Sequence, residues 1–174
     1  VPGGGNNYTI SAWFSRAAYT GYREMESQWY YSGNDFFFGF DVNNIRFSDN
    51  WNSVNLGLAA DTNWHHLVAV STVNNAYLYL DGVLKATRGS ALTYTGVRDL
   101  YFGRQGTWGG GGEWFGGILD EVEISSTVAR SSNWIWACWM NAASNASFCA
   151  YGAAVLPLLA DIGVSNVTAT SAVA

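Results

Sequence analysis

Hydrophobic and polar residues alternate along most of this chain with a period of two, in short runs broken by glycine and asparagine. The cleanest run, Tyr8–Arg16 (YTISAWFSR), puts Tyr8, Ile10, Ala12 and Phe14 on one face and Thr9, Ser11, Trp13 and Ser15 on the other. This predicts a strand with one dry face. Residues 22–31 carry Glu24, Glu26 and Gln28 on a single face, which predicts a solvent-facing side. Ranges 35–42 (DFFFGFDV) and 44–48 predict a hairpin turning at Asn43 and Asn44, and 54–60 predicts a further short strand. The near-continuous apolar run 64–73 (WHHLVAVSTV) predicts a central strand. Asn74-Asn75 joins it to 76–80 (AYLYL), and Asp81-Gly82 leads on to 83–88. Ranges 98–105 and 114–125 complete the series.

The last of these, Trp114–Ser125 (WFGGILDEVEIS), holds the clearest chemical clue. Strict alternation puts Ile118, Asp120, Val122 and Ile124 on one face and Leu119, Glu121 and Glu123 on the other. Asp120 then shares a face with three β-branched hydrophobes, at or near a buried surface, where an ionised carboxylate needs hydrogen bonds, an ion pair or a metal. A structural calcium ion is one expectation, with loop carbonyls and Asn6 or Asn7 adding oxygen ligands. The other has Asp120 accepting hydrogen bonds from backbone amides of the Gly116-Gly117 bend.

One stretch is helical. Ser131 or Ser132 can cap it, and Trp134, Ile135, Cys138, Trp139 and Ala142 make an apolar stripe at helical spacing. Residues 147–151 predict a last short strand. Range 153–174 is small and apolar, contains Pro157 and lacks aromatics, so 1–152 is expected to be the domain and 153–174 a linker or exchanged strand. Strands at short spacing with turns between them predict an all-β fold, an antiparallel two-sheet β-sandwich or jelly roll with one short C-terminal helix. The composition agrees: of 174 residues 16% are aromatic and 12% charged, with 20 glycines against two prolines. A net charge of −5 argues against nucleic acid or anionic membranes as partners, and no apolar run is long enough to span a bilayer. The absence of an initiator Met and of a signal peptide predicts a mature or excised piece of something longer. Cys138 and Cys149 are expected to form a disulfide in an oxidising compartment, or else to pack as two buried thiols. Sequons at Asn7, Asn145 and Asn166 matter only if the source glycosylates.

The blocks YTISAWF, NWHHLVAV, AYLYLDGVLKAT, LYFGRQG and WFGGILDEVEIS, in that order over Tyr8–Ser125, resemble the laminin-G-like, concanavalin A-like jelly-roll domains. The continuation ARSSNWIWACWMNAASNASFCAYG resembles the helix and closing strand of such domains in large secreted bacterial surface proteins. The resemblance implies two packed antiparallel sheets and a non-catalytic, extracellular role in binding surface glycans or partner proteins, with calcium near the aspartate matching Asp120. It also implies a strand before Val1-Pro2 that this chain lacks. An identical subunit, or the tail, is expected to fill that edge, which gives the alternative of a surface-layer or filament subunit assembled by strand exchange.

The expected ligand-binding residues are Trp51 and Trp108, two indoles in polar or glycine-rich loops, where sugars stack on exposed aromatic faces. Asn50 and Asn52 beside Trp51, and Arg104 before Trp108, would hydrogen-bond hydroxyls or, through Arg104, a sulfate. The alternative is that both indoles fold back over the ends of the sandwich. Trp13, Trp64, Trp114, Trp134, Trp136 and Trp139 are expected to be packing residues. Glu121 and Glu123 on one face suggest a glycoside hydrolase or lyase as a third reading, but the strand lacks the third acidic member such enzymes place at alternating positions. His65 and His66 are expected to be structural. Gly109–Gly112 make no phosphate loop, since no Lys-Ser/Thr follows.

Overall fold

The computed structural model describes residues 3, 5–17, 21, 23–28, 36–42, 44–49, 52–56, 61–93, 99–105, 112–150 and 152. Among these residues ten strands form two antiparallel sheets. β1 (Tyr8–Arg16), β6 (Trp64–Ser71), β7 (Ala76–Leu80), β8 (Val83–Arg88) and β10 (Gly117–Ser125) make the first, in the order β10-β1-β6-β7-β8. β2 (Arg23–Gln28), β3 (Phe36–Asp41), β4 (Asn44–Asp49), β5 (Asn52–Asn55) and β9 (Tyr101–Phe102) make the second, in the order β5-β4-β3-β2-β9. This is the expected concanavalin A-like sandwich.

The core follows from the alternation. Tyr8, Ile10, Ala12 and Phe14 of β1, with Leu67, Ala69, Leu78 and Leu80 of β6 and β7, meet Phe36, Phe38, Phe40, Ile45 and Phe47 of β3 and β4. Phe47 sits edge-on to Tyr8, Phe36 and Phe38 at centroid separations of 5.7–6.3 Å, the arrangement that ring quadrupoles favour. Asp41 pairs with Asn44, so residues 42 and 43 make the β3–β4 connection, one position earlier than expected.

The opposite face of the first sheet is dry as well. α1 (Ser132–Ala143), capped by Ser131 whose hydroxyl accepts from the Trp134 amide, buries Ile135 against Val68, Val70 and Tyr79. The segment leading to α1 is tied to β1: Thr9 Oγ1 donates to the Val128 carbonyl and accepts from the Arg130 amide. The strand expected over 147–151 is instead one helical turn, α2 (Asn145–Phe148), where the Ser144 carbonyl accepts from both Ser147 and Phe148 and Phe148 packs edge-on to Trp136. Cys138 and Cys149 are both free thiols, so the expected disulfide is not formed. The Cys149 thiol turns instead to Asn141 Oδ1, 3.3 Å away and one turn beyond Cys138. The tail 153–174 lies outside the described residues, and β10 carries no partner on its outer edge among those described.

Two register shifts reverse faces that strict alternation would assign. In β10, Ser11 pairs with Glu123 and Trp13 with Asp120, so β10 has one residue more than β1 between these pairs. Glu121 takes φ 45° there. A β-bulge of this kind switches the parity of everything beyond it. Leu119 and Ile124 consequently both pack against the core, Ile118 is 60% exposed, and Asp120 is exposed. In β2 a second shift falls between Glu24 and Glu26. Glu24, Glu26 and Gln28, expected in solvent, are all buried.

Candidate functional site

The outer face of the second sheet carries an unusual density of polar groups. Cross-strand pairing lines up Tyr101, Ser27, Phe37 and Ser48 in one row and Glu24, Gly39 and Arg46 in the next. Gly39 has no side chain, and a Cβ there would meet the backbone of Arg23 and Glu24, so β2 and β3 close up beneath this face. The Arg46 guanidinium donates to Asp41 Oδ2 and Ser48 Oγ, each at 3.1 Å, and lies over the Phe37 ring at 5.4 Å. Such pairing is what lets a charge sit 95% out of solvent.

The chain after β9 bends at Gly103, where φ is 68°, and crosses onto this face; the Arg104 carbonyl accepts from Ser27 Oγ at 2.9 Å. It returns at Gly112, whose carbonyl accepts from the Gln105 amide, and Glu113 then docks on β2 by accepting from the Glu24 amide at 3.0 Å. The Glu113 carboxyl hydrogen-bonds to Glu24. Burial raises its pKa above the usual carboxylate range, against the lowering by Glu24, Arg23 and Arg46.

At the rim of this face the Arg104 guanidinium lies 5.2 Å over the Tyr101 ring and 5.0 Å over that of Trp114. Its Nε is held by the Gln105 carbonyl at 3.0 Å. Trp114, expected to pack inside, is 57% exposed. Its backbone is bridged to Glu24 while the indole stays out, so the ring carries a cation over it and remains more than half exposed. This flat apolar surface beside fixed donors has the chemistry of a sugar-stacking platform.

Of the expected ligand residues, Arg104 takes its place here. Trp51, Trp108 and Asn50 lie outside the described residues, and Asn52 is described only through its backbone pairing with Asp49. Trp114, Tyr101, Arg46, Glu24 and Glu113 were missed. The usable signal for Trp114 was the one applied to Trp108, an indole flanked by glycines on both sides.

The residues named for calcium are not brought together. Asn7 precedes β1 while Asp120 pairs with Trp13, six residues on, or about 20 Å along a strand. Asp120 Oδ1 caps the Glu121 amide at 2.8 Å, and among the described residues no three acidic, histidine or cysteine side chains cluster as a metal site. Glu121 and Glu123 are exposed on the outermost strand, where Glu123 takes Ser125 Oγ and, at 3.7 Å, Arg130.

A family model described as the concanavalin A-like lectin/glucanases superfamily matches residues 2–136. No curated protein matches the chain. Among solved structures, the chain is similar to domain 4 of AbnA, an extracellular GH43 arabinanase from Geobacillus stearothermophilus, in complex with arabinotriose. The identity is 18% and the TM-score 0.60, over 78% of this chain and 66% of that one, so the chain spans about two thirds of that domain. It is also similar to the CBM40 of the Ruminococcus gnavus IT-sialidase, at 14% identity and TM-score 0.65 over 76% of this chain and 82% of that one. The same module bound to α2,3-sialyllactose matches at 14% identity and TM-score 0.62, over 75% and 80%. At these identities the likenesses speak to the fold.

Proposed function

We propose, from the premise that the chain belongs to the concanavalin A-like lectin/glucanases superfamily, that it is a non-catalytic carbohydrate-binding module acting outside the cell on polysaccharide or surface glycan. The observation that carries this reading is the half-exposed Trp114 indole, stacked on Arg104 at 5.0 Å beside the buried polar face of the second sheet. An exposed ring held in place by a cation offers a sugar ring an apolar surface, and little is lost in ordering it. Trp51, Trp108, Asn50 and Asn52 belong to the same proposal as further ligand-binding residues. Similar modules solved with arabinotriose and sialyllactose support glycan as the ligand class. Glu121 and Glu123 offer catalysis little support, since both stand in solvent on an edge strand. The alternative of a secreted bacterial surface subunit assembled by strand exchange draws only on the open edge of β10.

The test is a soluble glycan panel that includes arabinan oligosaccharides and sialyllactose, read against wild type, Trp114→Ala and Arg104→Ala. Trp114→Ala is expected to weaken binding roughly tenfold, about the upper end of one aromatic stacking contact. Undiminished binding in both variants, or no binding by the wild type to any glycan, would overturn the proposal. Trp51→Ala and Trp108→Ala measured in parallel locate the rest of the surface.

A further inference from the structure

The two sheets part at the end of β1. Phe14 and Arg16 point inward there, and a cavity of about 220 Å³ opens between them and Phe40, Ile45 and Leu80, with His65 and Asp61 supplying polar edges. Arg16 lines this cavity and the smaller space on the other side of Phe40, and its guanidinium lies 4.4 Å over the Phe40 ring. The side chain is 94% buried. Its Nε and Nη2 have no hydrogen-bond partner among the described residues. Those two nitrogens form one edge of the guanidinium, the edge that takes a carboxylate side-on through two parallel bonds.

Among the described residues no acidic group nearby fills that role. Asp61 Oδ1 accepts from the Asn63 amide and its Oδ2 faces His65 Nε2 at 3.5 Å. Asp81 accepts from His65 Nδ1 at 2.8 Å and from the His66 amide. A buried arginine with an unused donor edge loses its hydration without replacement, and stacking on Phe40 restores only part of it. The cavity exceeds the ~150 Å³ apolar void that accepts benzene, so there is room for a ring-sized body behind an anionic head.

We infer that this end of the sandwich is a second binding site, taking a ring-sized organic monocarboxylate whose carboxylate pairs with the Nε–Nη2 edge of Arg16 and whose body fills the space between Phe14, Phe40, Ile45 and Leu80. Two kinds of ligand share this chemistry, an aromatic or alicyclic acid and a sugar acid. The site does not depend on the Trp114 platform.

The experiment is calorimetric titration of the full chain with benzoate and with glucuronate, using benzamide and methyl glucoside as uncharged counterparts. Binding of at least one carboxylate is expected, with its uncharged counterpart at least tenfold weaker. Benzoate alone identifies an apolar acid and glucuronate alone a sugar acid. Arg16→Met keeps the stem over Phe40 and is expected to lower carboxylate affinity at least tenfold. Equal binding of acid and amide by the wild type overturns the inference whether or not the variant folds. So does binding of neither acid, or full affinity in Arg16→Met.

Discussion

Replacing Glu26 with glutamine is expected to abolish a loss of ~5 kcal/mol that the wild type suffers between pH 4.5 and pH 8. Glu26 lies opposite Phe38 and Phe102, is 0% exposed, and neither carboxyl oxygen has a hydrogen-bond partner among the described residues. Burial pushes its pKa from 4.5 up to about 8, so the folded protein holds this proton across the neutral range. Below pH 4.5 the group is protonated in both states and stability is indifferent to it. Above pH 4.5 the unfolded chain ionises while the folded one does not, and each further pH unit favours unfolding until the folded pKa is passed. The amide keeps the shape and the unmet polar atoms but has no proton to lose, so variant and wild type should match at pH 4.5 and diverge at pH 8.

His66 sets the acid limb. It is buried, stacked on Trp13 at 5.1 Å, and desolvation lowers its pKa from 6.5 to about 4, against the raising pull of Asp81 and Glu123. Its contribution is complete above pH 6.5 and is lost as pH falls towards 4. In the wild type the two slopes oppose each other between pH 4.5 and 6.5, giving a plateau that declines on both sides. Glu26→Gln should keep the acid limb and lose the alkaline one. Urea unfolding at half-unit pH steps reads both limbs. A flat wild-type profile above pH 6.5 would show that Glu26 ionises normally and so is hydrated in the folded protein. Since total stabilities of domains run to only about 5–15 kcal/mol, the alkaline loss alone brings the wild type near its unfolding threshold.

Gly39→Ala is expected to destabilise the protein by roughly 3 kcal/mol or more. A Cβ at position 39 would collide with the Arg23 carbonyl oxygen and lie 2.9 Å from Glu24 Cα and 3.0 Å from the Met25 amide nitrogen. All three are backbone atoms, so no side chain can swing aside, and the β2–β3 pairing must open. The same opening would separate Glu24 from Arg46 and spoil the outer face. Gly89→Ala is the control, because nothing among the described residues stands within 4 Å of a Cβ there, and it should change stability by less than about 0.5 kcal/mol. Equal urea midpoints for the two variants would mean that β2 and β3 do not approach as closely as this register requires.

Much of the fold was legible from the chain itself, because period-two alternation and turn residues are local properties. β1, β7 and β8 fall where the pattern puts them, the three alternate phenylalanines of FFFGF point into one core, and the helix begins at a serine cap. Family membership followed from blocks of the same kind.

The candidate site was not legible in this way, and the failures share a physical cause. Alternation assigns faces only while the register holds, and a single inserted residue flips every position beyond it. The bulge at Glu121 turned Asp120 out to solvent and drew Leu119 inward, while the bulge after Glu24 accompanied the burial of two glutamates that read as solvated. Burial of an outer face is likewise decided by what lies across it, as α1 does for Val68 and Val70 and the crossing segments do around Ser27. The sequence determined which residues could make strands and that those strands would pack as a sandwich. The tertiary structure alone decided that Arg104 stacks on Trp114, that Glu113 meets Glu24 and that Arg16 is left with an open edge, because each depends on segments distant in the chain meeting at a particular register.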